Sequence, residues 1–209
     1  MLDDLIDESF SSKSYFSNPY PLFDTLRTQS PVFYSNQIGG WVLTKHEDVD
    51  AVLRNSEVFS SKGRITHLLN QLEPELQPEL ESLHFHFARG LAHSDAPEHT
   101  RLRGLLARAF TPKMIENLRP RIREIATEII SSLKTEADLL DDLLTPLPAR
   151  VVGELLGSST EDIPNLIRWA HAINGLYEKG GRISAEKALH AESMLKEMRS
   201  FVAKLILER

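Results

Sequence analysis

The sequence predicts a mainly α-helical fold with a small β-hairpin near the N-terminus. Apolar residues recur at helical spacing over most of the chain after residue 96. Near residue 40, two short runs rich in β-branched and aromatic residues flank a Gly-Gly pair. A chain of 209 residues, 41% of them hydrophobic, is large enough for one globular core. We therefore expect residues 1–209 to form a single domain.

The first elements follow from turn and capping residues. Pro21 lies in the first turn of a predicted short helix, where proline is tolerated because the N–H that it lacks would have no acceptor within the helix. The runs Val32–Tyr34 and Trp41–Thr44 predict the two hairpin strands. Thr44 and Glu47 have the spacing of a capping box, so the next helix is expected to begin there.

Residues 61–93 have a weaker pattern, with Pro74 and Pro78 about one helical turn apart. They predict a long, partly helical connection, a kind of segment that often serves as a lid or binding loop.

Helices fill the rest of the chain. One apolar stripe at helical spacing comprises Leu102, Leu105, Leu106, Ala109 and Phe110. Thr111-Pro112 then ends one helix and starts another, in which Pro120 predicts a kink or a late start. Gly157 closes a further helix, Gly180-Gly181 is expected to break the helical pattern, and Ser184 opens the last helix. No stop residue follows that last helix, so we expect the chain to be a fragment or the product of a truncated gene.

Composition limits the function. A net charge of −6 and a pI near 5.8 argue against nucleic-acid binding through a basic surface. The acidic N-terminus lacks the features of a signal peptide, and no apolar run approaches the roughly 20 residues of a membrane span. We predict a soluble, cytoplasmic protein with neither a nucleic-acid nor a membrane partner. The chain has no cysteine, so it offers no thiolate ligand and no thiol nucleophile.

The segment "HSDAPEHTRLRGLLARAF", residues 93–110, places cations where a helix begins. Asp95 as N-cap, Pro97 in the first turn and Glu98 at the third helical position predict the start of a helix. His99 and Arg103 then project from one face of that helix, with Cβ atoms about 6 Å apart. Two interpretations remain open from this spacing. In the first, the pair binds an anion beside the helix N-terminus. In the second, Asp95 and Glu98 balance the charge of the cations and the whole patch is a solvated helix face.

Other candidate sites are weaker. His84 and His86, with His93 and His99 nearby, lack a carboxylate or cysteine at a diagnostic spacing, so we predict no metal site. His171 is predicted to lie at a helix boundary face. A solvated acidic surface is expected for the cluster Asp138, Asp141 and Asp142.

The segment "SDAPEHTRLRGLLARAFTPKMIENLRPRI" resembles the C-helix region of the soluble, bacterial-type cytochrome P450 superfamily, with its D-x-P-E-H-x-x-x-R sequence and A-F-T-P turn. Four more segments resemble that family in its own order: "PYPLFDTLR", "GGWVLTKHEDVDAVLRNSEVFSS", "VVGELLG" and "EDIP". The resemblance covers the chain after about residue 18 and implies the N-terminal half of the cytochrome P450 fold.

This resemblance implies a haem-thiolate monooxygenase, which activates O₂ and inserts one oxygen atom into a small organic substrate with electrons from a redox partner. The cofactor implied is b-type haem, with His99 and Arg103 binding its two propionates. Residues 64–87 would lie between the B and C helices, and 163–205 would roof the substrate pocket. There Leu68 and Leu69 would be close to substrate, although no motif specifies them and a core or surface role is favoured.

The sequence also departs from the family pattern. The family holds its haem iron through a cysteine, which this chain lacks. "ENLR", residues 116–119, fits the family's Glu-x-x-Arg pattern but in the wrong segment, so we assign it to a helix surface. We expect no catalytic residue and no activity from this chain alone. The alternative is a non-catalytic helical protein derived from the family that binds a ligand or partner, in which the last apolar stripe, Ala188 to Leu205, is covered rather than exposed.

Overall fold

A computed structural model describes residues 2–176 and 183–208, so the helix break expected at Gly180-Gly181 lies outside the described residues. Helices dominate, with one antiparallel hairpin, as predicted. The α-helices are α1 (Leu2–Ser9), α2 (Lys13–Ser17), α3 (Tyr20–Gln29), α4 (His46–Arg54), α5 (Arg64–Leu69), α6 (Glu81–Arg89), α7 (Glu98–Ala109), α8 (Pro112–Ser132), α9 (Pro146–Leu156), α10 (Ile163–Asn174) and α11 (Ala185–Leu207). Short 3₁₀ helices span Pro74–Leu80, Leu91–His93 and Thr160–Asp162, and a π-helical segment spans Leu140–Leu144.

The hairpin pairs β1 (Val32–Ser35) with β2 (Gly40–Leu43), in a register that places Val32 opposite Leu43. Gly39 supplies the turn with a φ of +70°, a conformation that side chains other than glycine rarely adopt. The buried carboxylate of Asp7 on α1 fastens this turn, because it accepts hydrogen bonds from the backbone N–H groups of Asn36 and Gln37 at 3.1 and 3.3 Å.

The capping box predicted at Thr44 is wrong. Helix α4 begins at His46, after Lys45, and has no side-chain cap. Both the N–H and the hydroxyl of Thr44 donate instead to the carbonyl of Pro31, at 3.1 and 3.2 Å. Thr44 therefore closes the hairpin and has no hydroxyl free for the helix.

The main core lies between the 61–93 connection and α11. It is formed by buried residues of both, together with Leu176 just after α10: Ile65, Leu69, Leu80, Leu83, Phe87, Leu176, Ala188, Ala191 and Leu195. Leu69 is fully buried in this cluster, whereas Leu68 is only half-buried. The connection is thus largely helical and anchored. A second, smaller cluster joins α1 and α3 to the hairpin through Ile6, Phe10, Leu26 and Phe33.

The predicted boundaries of the later helices are confirmed. Thr111 caps α8 by accepting a hydrogen bond from the Met114 N–H at 3.2 Å, and Ser184 caps α11 in the same way. Gly157 ends α9 with a φ of 74°. The late start considered for α8 at Pro120 is wrong, because the helix begins at Pro112 and continues through Pro120.

The apolar stripe of α7 is exposed. No residue of α7 is buried, and Leu105, Leu106 and Phe110 each leave almost half of their surface accessible. The stripe of α11 divides along its length: Ala188, Ala191 and Leu195 are buried, whereas Val202 near the C-terminal end is exposed.

Candidate functional site

Helix α7 begins differently from the predicted capping arrangement. Its first helical residue is Glu98, and the Asp95 side chain does not cap it. The Asp95 carboxylate accepts hydrogen bonds from the Ser60 hydroxyl at 2.5 Å and the Ser61 N–H at 3.0 Å. These two hydrogen bonds are the main cause of a lowered pKa of Asp95. Asp95 therefore ties the loop after α4 to the start of α7, a role that its position along the chain did not reveal.

The cations of the first α7 turns have different partners. Arg101 forms a bidentate ion pair with Glu98, at 2.9 Å from Nε and 2.6 Å from Nη2. This contact lowers the pKa of Glu98 and raises that of Arg101. Arg101 therefore neutralises Glu98, one helical turn before it, on an exposed part of α7.

His99 and Arg103 lie four residues apart on α7, on the same side of the helix. Within residues 2–176 and 183–208, neither side chain forms a hydrogen bond or an ion pair. Asp95 lies close enough to His99 for the two charges to interact, although this is a minor cause of the lowered pKa of Asp95. Arg103 is exposed and has no carboxylate to neutralise it in the described chain.

A cavity of about 560 Å³ adjoins this pair on one side. His99 lines it together with Phe59, Ser60, Leu91 and Asp95, so the loop after α4 and the segment before α7 form its walls. The half-buried imidazole of His99 therefore lines a cavity that is partly open to solvent, while the neighbouring guanidinium is exposed.

These residues fit one end of a haem. A planar guanidinium and an imidazole on adjacent turns supply the donors that two carboxylates need. They do not fit the iron, because the chain contains no cysteine to serve as its thiolate ligand. The donor set therefore matches the propionate side of the group alone.

The histidines considered as metal ligands serve other contacts. The Nε2 atom of His84 lies 3.1 Å from the side-chain oxygen of Gln77, and the rings of His86 and His93 both pack edge-on against Phe87. Among the residues that the structure describes, no group of three or more His, Asp or Glu side chains is arranged to hold a metal ion.

The remaining sequence candidates lie on the surface. Glu116 and Arg119 form an exposed ion pair on α8, which confirms the helix-surface assignment of "ENLR". His171 is exposed and lines an open cleft between α10 and α11. The acidic cluster is exposed as predicted, but it is also ordered, because Asp138 accepts hydrogen bonds from the N–H groups of Leu140 and Asp141 at 2.8 and 3.2 Å.

Sequence reasoning missed Glu192 on α11. Its carboxylate is 3% exposed and accepts hydrogen bonds from the N–H groups of Ser82 and Leu83 at the start of α6. The one local signal is Lys196 four residues later, which pairs with it at 3.0 Å. In the described part of the chain, no helix combines the length and hydrophobicity of a membrane span.

Comparison with known proteins places this architecture in a family. No protein-family model matches the chain. The chain is 31% identical over 205 residues to the polyketide biosynthesis cytochrome P450 PksS of Bacillus subtilis, a match that covers 94% of this chain and 48% of that protein. Among solved structures, cytochrome P450 CYP109Q5 from Chondromyces apiculatus matches with a TM-score of 0.74 and 25% identity, covering 96% of this chain and 46% of that one.

A third match agrees in fold alone. P450BioI, solved with an acyl carrier protein that carries hexadec-9Z-enoic acid, has a TM-score of 0.80 at 24% identity, over 94% of this chain and 50% of that one. The chain thus spans about half the length of the relatives it matches. From the helical fold, its N-terminal hairpin and these matches, the chain belongs to the cytochrome P450 superfamily and corresponds to the N-terminal half of its bacterial members.

Proposed function

We propose that this chain supplies the propionate-binding part of the haem pocket of a P450 monooxygenase, with residues 1–209 forming one incomplete P450 domain. The observation that carries the proposal is the difference between neighbouring cations on α7. Arg101 is neutralised by Glu98, whereas Arg103 has no ionic partner in the described chain and stands one turn from His99. An arginine without an ionic partner beside an imidazole offers the hydrogen-bond donors that a dianionic ligand requires.

The two side chains divide the work of holding haem. The Arg103 guanidinium would bind one propionate carboxylate through its planar donor fork, and the His99 imidazole would donate a hydrogen bond to the other. The Asp95 contact with Ser60 and Ser61 fixes the start of α7, so it positions His99. Bound haem supplies O₂ activation and the transfer of one oxygen atom to an organic substrate. The thiolate for its iron has to come from outside these 209 residues, so the chain alone is expected to be inactive.

The proposed partners are a small organic substrate and an electron-transfer protein. PksS is named for polyketide biosynthesis, and P450BioI was solved with a fatty-acyl carrier protein. An acyl chain is therefore the substrate class to test first in an intact protein. The cytoplasmic location stays a prediction of the sequence.

A second candidate function is a non-catalytic protein that binds a ligand or partner through its helices. The exposed stripe of α7, with Leu105, Leu106 and Phe110, favours it, because contiguous apolar surface of this kind marks an interaction site. Analytical ultracentrifugation distinguishes the two functions: a discrete monomer or dimer supports the second, and ill-defined association supports an incomplete domain.

Haem titration tests the first proposal. Haem is added to the wild-type chain, to the double variant His99→Ala with Arg103→Ala, and to the matched control Arg101→Ala, and binding is followed in the Soret band. We expect saturable binding by the wild type and the control and its loss in the double variant. Haem dimethyl ester, which lacks free carboxylates, should bind the wild type no better than the double variant. No binding by the wild type, or equal binding by all three chains, would overturn the proposal.

A further inference from the structure

Five basic side chains form a row on α5, α6 and α11 and on the 3₁₀ turn before α7. This basic band consists of Arg64, His86, Arg89, His93 and Arg199. None of its members belongs to the proposed haem site, so an inference drawn from it is independent of haem binding.

Two arginines meet at the exposed aromatic ring of Phe85. The guanidinium carbons of Arg89 on α6 and Arg199 on α11 lie 4.5 and 4.4 Å from the ring centroid. Phe85 itself is 43% exposed. Two like charges from different helices share one ring because its π-face attracts each of them. The result is an apolar centre with a cation on each helix beside it.

The two imidazoles continue the row. The rings of His86 and His93 lie 5.0 and 5.2 Å from the ring of Phe87, which is buried in the main core. Burial lowers the pKa of both histidines, that of His86 further through His93 and Arg199, and that of His93 further through Arg64. Both imidazoles therefore favour the neutral form, and the positive charge of the band comes from Arg64, Arg89 and Arg199.

The charge of the band is only weakly compensated, because Glu98, whose pKa the Arg89 charge helps to lower, has Arg101 as its ion-pair partner. Across the described ranges, none of the five side chains forms an ion pair or donates a hydrogen bond to an acidic group. This is unusual in a chain with 30 acidic and 24 basic residues. Most other arginines have an acidic partner: Arg27, Arg54, Arg101, Arg119, Arg121, Arg150 and Arg168. The band is thus a local excess of positive charge on an acidic protein.

We propose that the basic band is a docking surface for the acidic face of a partner protein. Its charge is spread over several elements, so it suits a surface with several carboxylates rather than a single small anion. Arginine beside an exposed aromatic ring is the composition of the energetically important centre of protein interfaces. The net charge of −6 on the whole chain disfavours the approach of a nucleic acid or an anionic membrane, which present negative charge over a wider area.

Fluorescence anisotropy with labelled poly-L-glutamate as the probe tests this proposal at low and high NaCl concentration. The variants are the wild type, Arg89→Gln with Arg199→Gln, and the control Arg27→Gln with Arg54→Gln. The control removes the same charge from two exposed arginines that have acidic partners. Arg64→Gln is a second variant of the band that does not disturb the contacts with Phe85. Circular dichroism verifies that each variant is folded.

We expect binding at low salt that weakens as salt rises, because counterions screen charged contacts. The Arg89/Arg199 variant should bind on the order of tenfold more weakly, Arg64→Gln several-fold more weakly, and the control within about twofold of the wild type. Equal weakening in the control would show that net charge alone acts and would overturn the proposal. Absence of binding at low salt would also overturn it. Tighter binding to a DNA duplex or to phosphatidylglycerol vesicles than to poly-L-glutamate would assign the band to a phosphate-bearing ligand instead.

Discussion

The carboxylate of Glu192 on α11 accepts a hydrogen bond of 2.8 Å from the backbone N–H of Leu83, near the start of α6, across 109 positions of the chain. The neighbouring N–H of Ser82 donates to the other carboxylate oxygen at 3.1 Å. A negative side chain of one helix thus satisfies the free N–H groups at the start of another. This contact fastens the segment between α5 and α7 to α11, and it lies directly beside the main core.

Replacement of Glu192 should therefore destabilise the fold. In Glu192→Ala, the N–H groups of Ser82 and Leu83 lose their acceptor beside the core. We expect a loss of about 1–3 kcal/mol in the free energy of unfolding, the usual cost of leaving buried polar groups unsatisfied. Urea denaturation measures it. Glu208→Ala, which removes an exposed carboxylate paired with Lys204, is the control and should change little. A loss in Glu192→Ala no larger than in the control would contradict the capping role.

The same carboxylate should make stability depend on pH. Burial raises the pKa of Glu192, but hydrogen bonds from Leu83, Lys196 and Ser82 outweigh burial and lower it overall. A carboxyl group with a lowered pKa stabilises the folded state above the ordinary glutamate pKa, about 4.3, and this stabilisation is lost as pH falls through the folded-state pKa. The difference in melting temperature between wild type and Glu192→Gln should therefore shrink as the pH falls from neutral to below the ordinary glutamate pKa. A constant difference would refute this linkage.

Two glycines should respond in opposite ways to alanine. A Cβ at Gly153 of α9 would lie 2.6 Å from Cδ1 of Ile163 and 3.1 Å from Cδ1 of Leu166. Gly153→Ala should therefore cost about 1–3 kcal/mol through overpacking. Gly104 of α7 has open space around it, so Gly104→Ala should stabilise the chain by about 0.5–1 kcal/mol through higher helix propensity. Thermal or urea unfolding of both variants is the measurement, and destabilisation by the same amount would disagree with this packing.

Arg103 should be sensitive to the shape of its side chain as well as its charge. Lysine keeps the positive charge but lacks the planar fork that binds a carboxylate through two hydrogen bonds. We therefore expect Arg103→Lys to bind haem with an affinity between those of the wild type and Arg103→Ala, each step being several-fold. The dissociation constants come from Soret titration. If lysine binds as tightly as arginine, the bidentate contact is absent and only the charge matters.

Much of the fold could be predicted from sequence because its signals are local. Thr111 and Ser184 each cap a helix through an N–H three residues later, and Gly157 alone supplies the conformation that ends α9. Thr44 and Asp95 have equally good local patterns, and both predictions are wrong. Their side chains bind partners far along the chain, Pro31 for Thr44 and the 60–61 loop for Asp95.

The sequence by itself determined the helical class, the hairpin, most helix ends and the placement of His99 and Arg103 on one helical face, since each depends on residues within about one turn of each other. Tertiary structure alone decided which charges are compensated. It leaves Arg103 without an ionic partner among the described residues, buries Glu192 against α6 and brings Arg89 and Arg199 to one ring. The physical reason is that electrostatic and packing contacts depend on distance in space, which helical periodicity specifies within an element but not between elements.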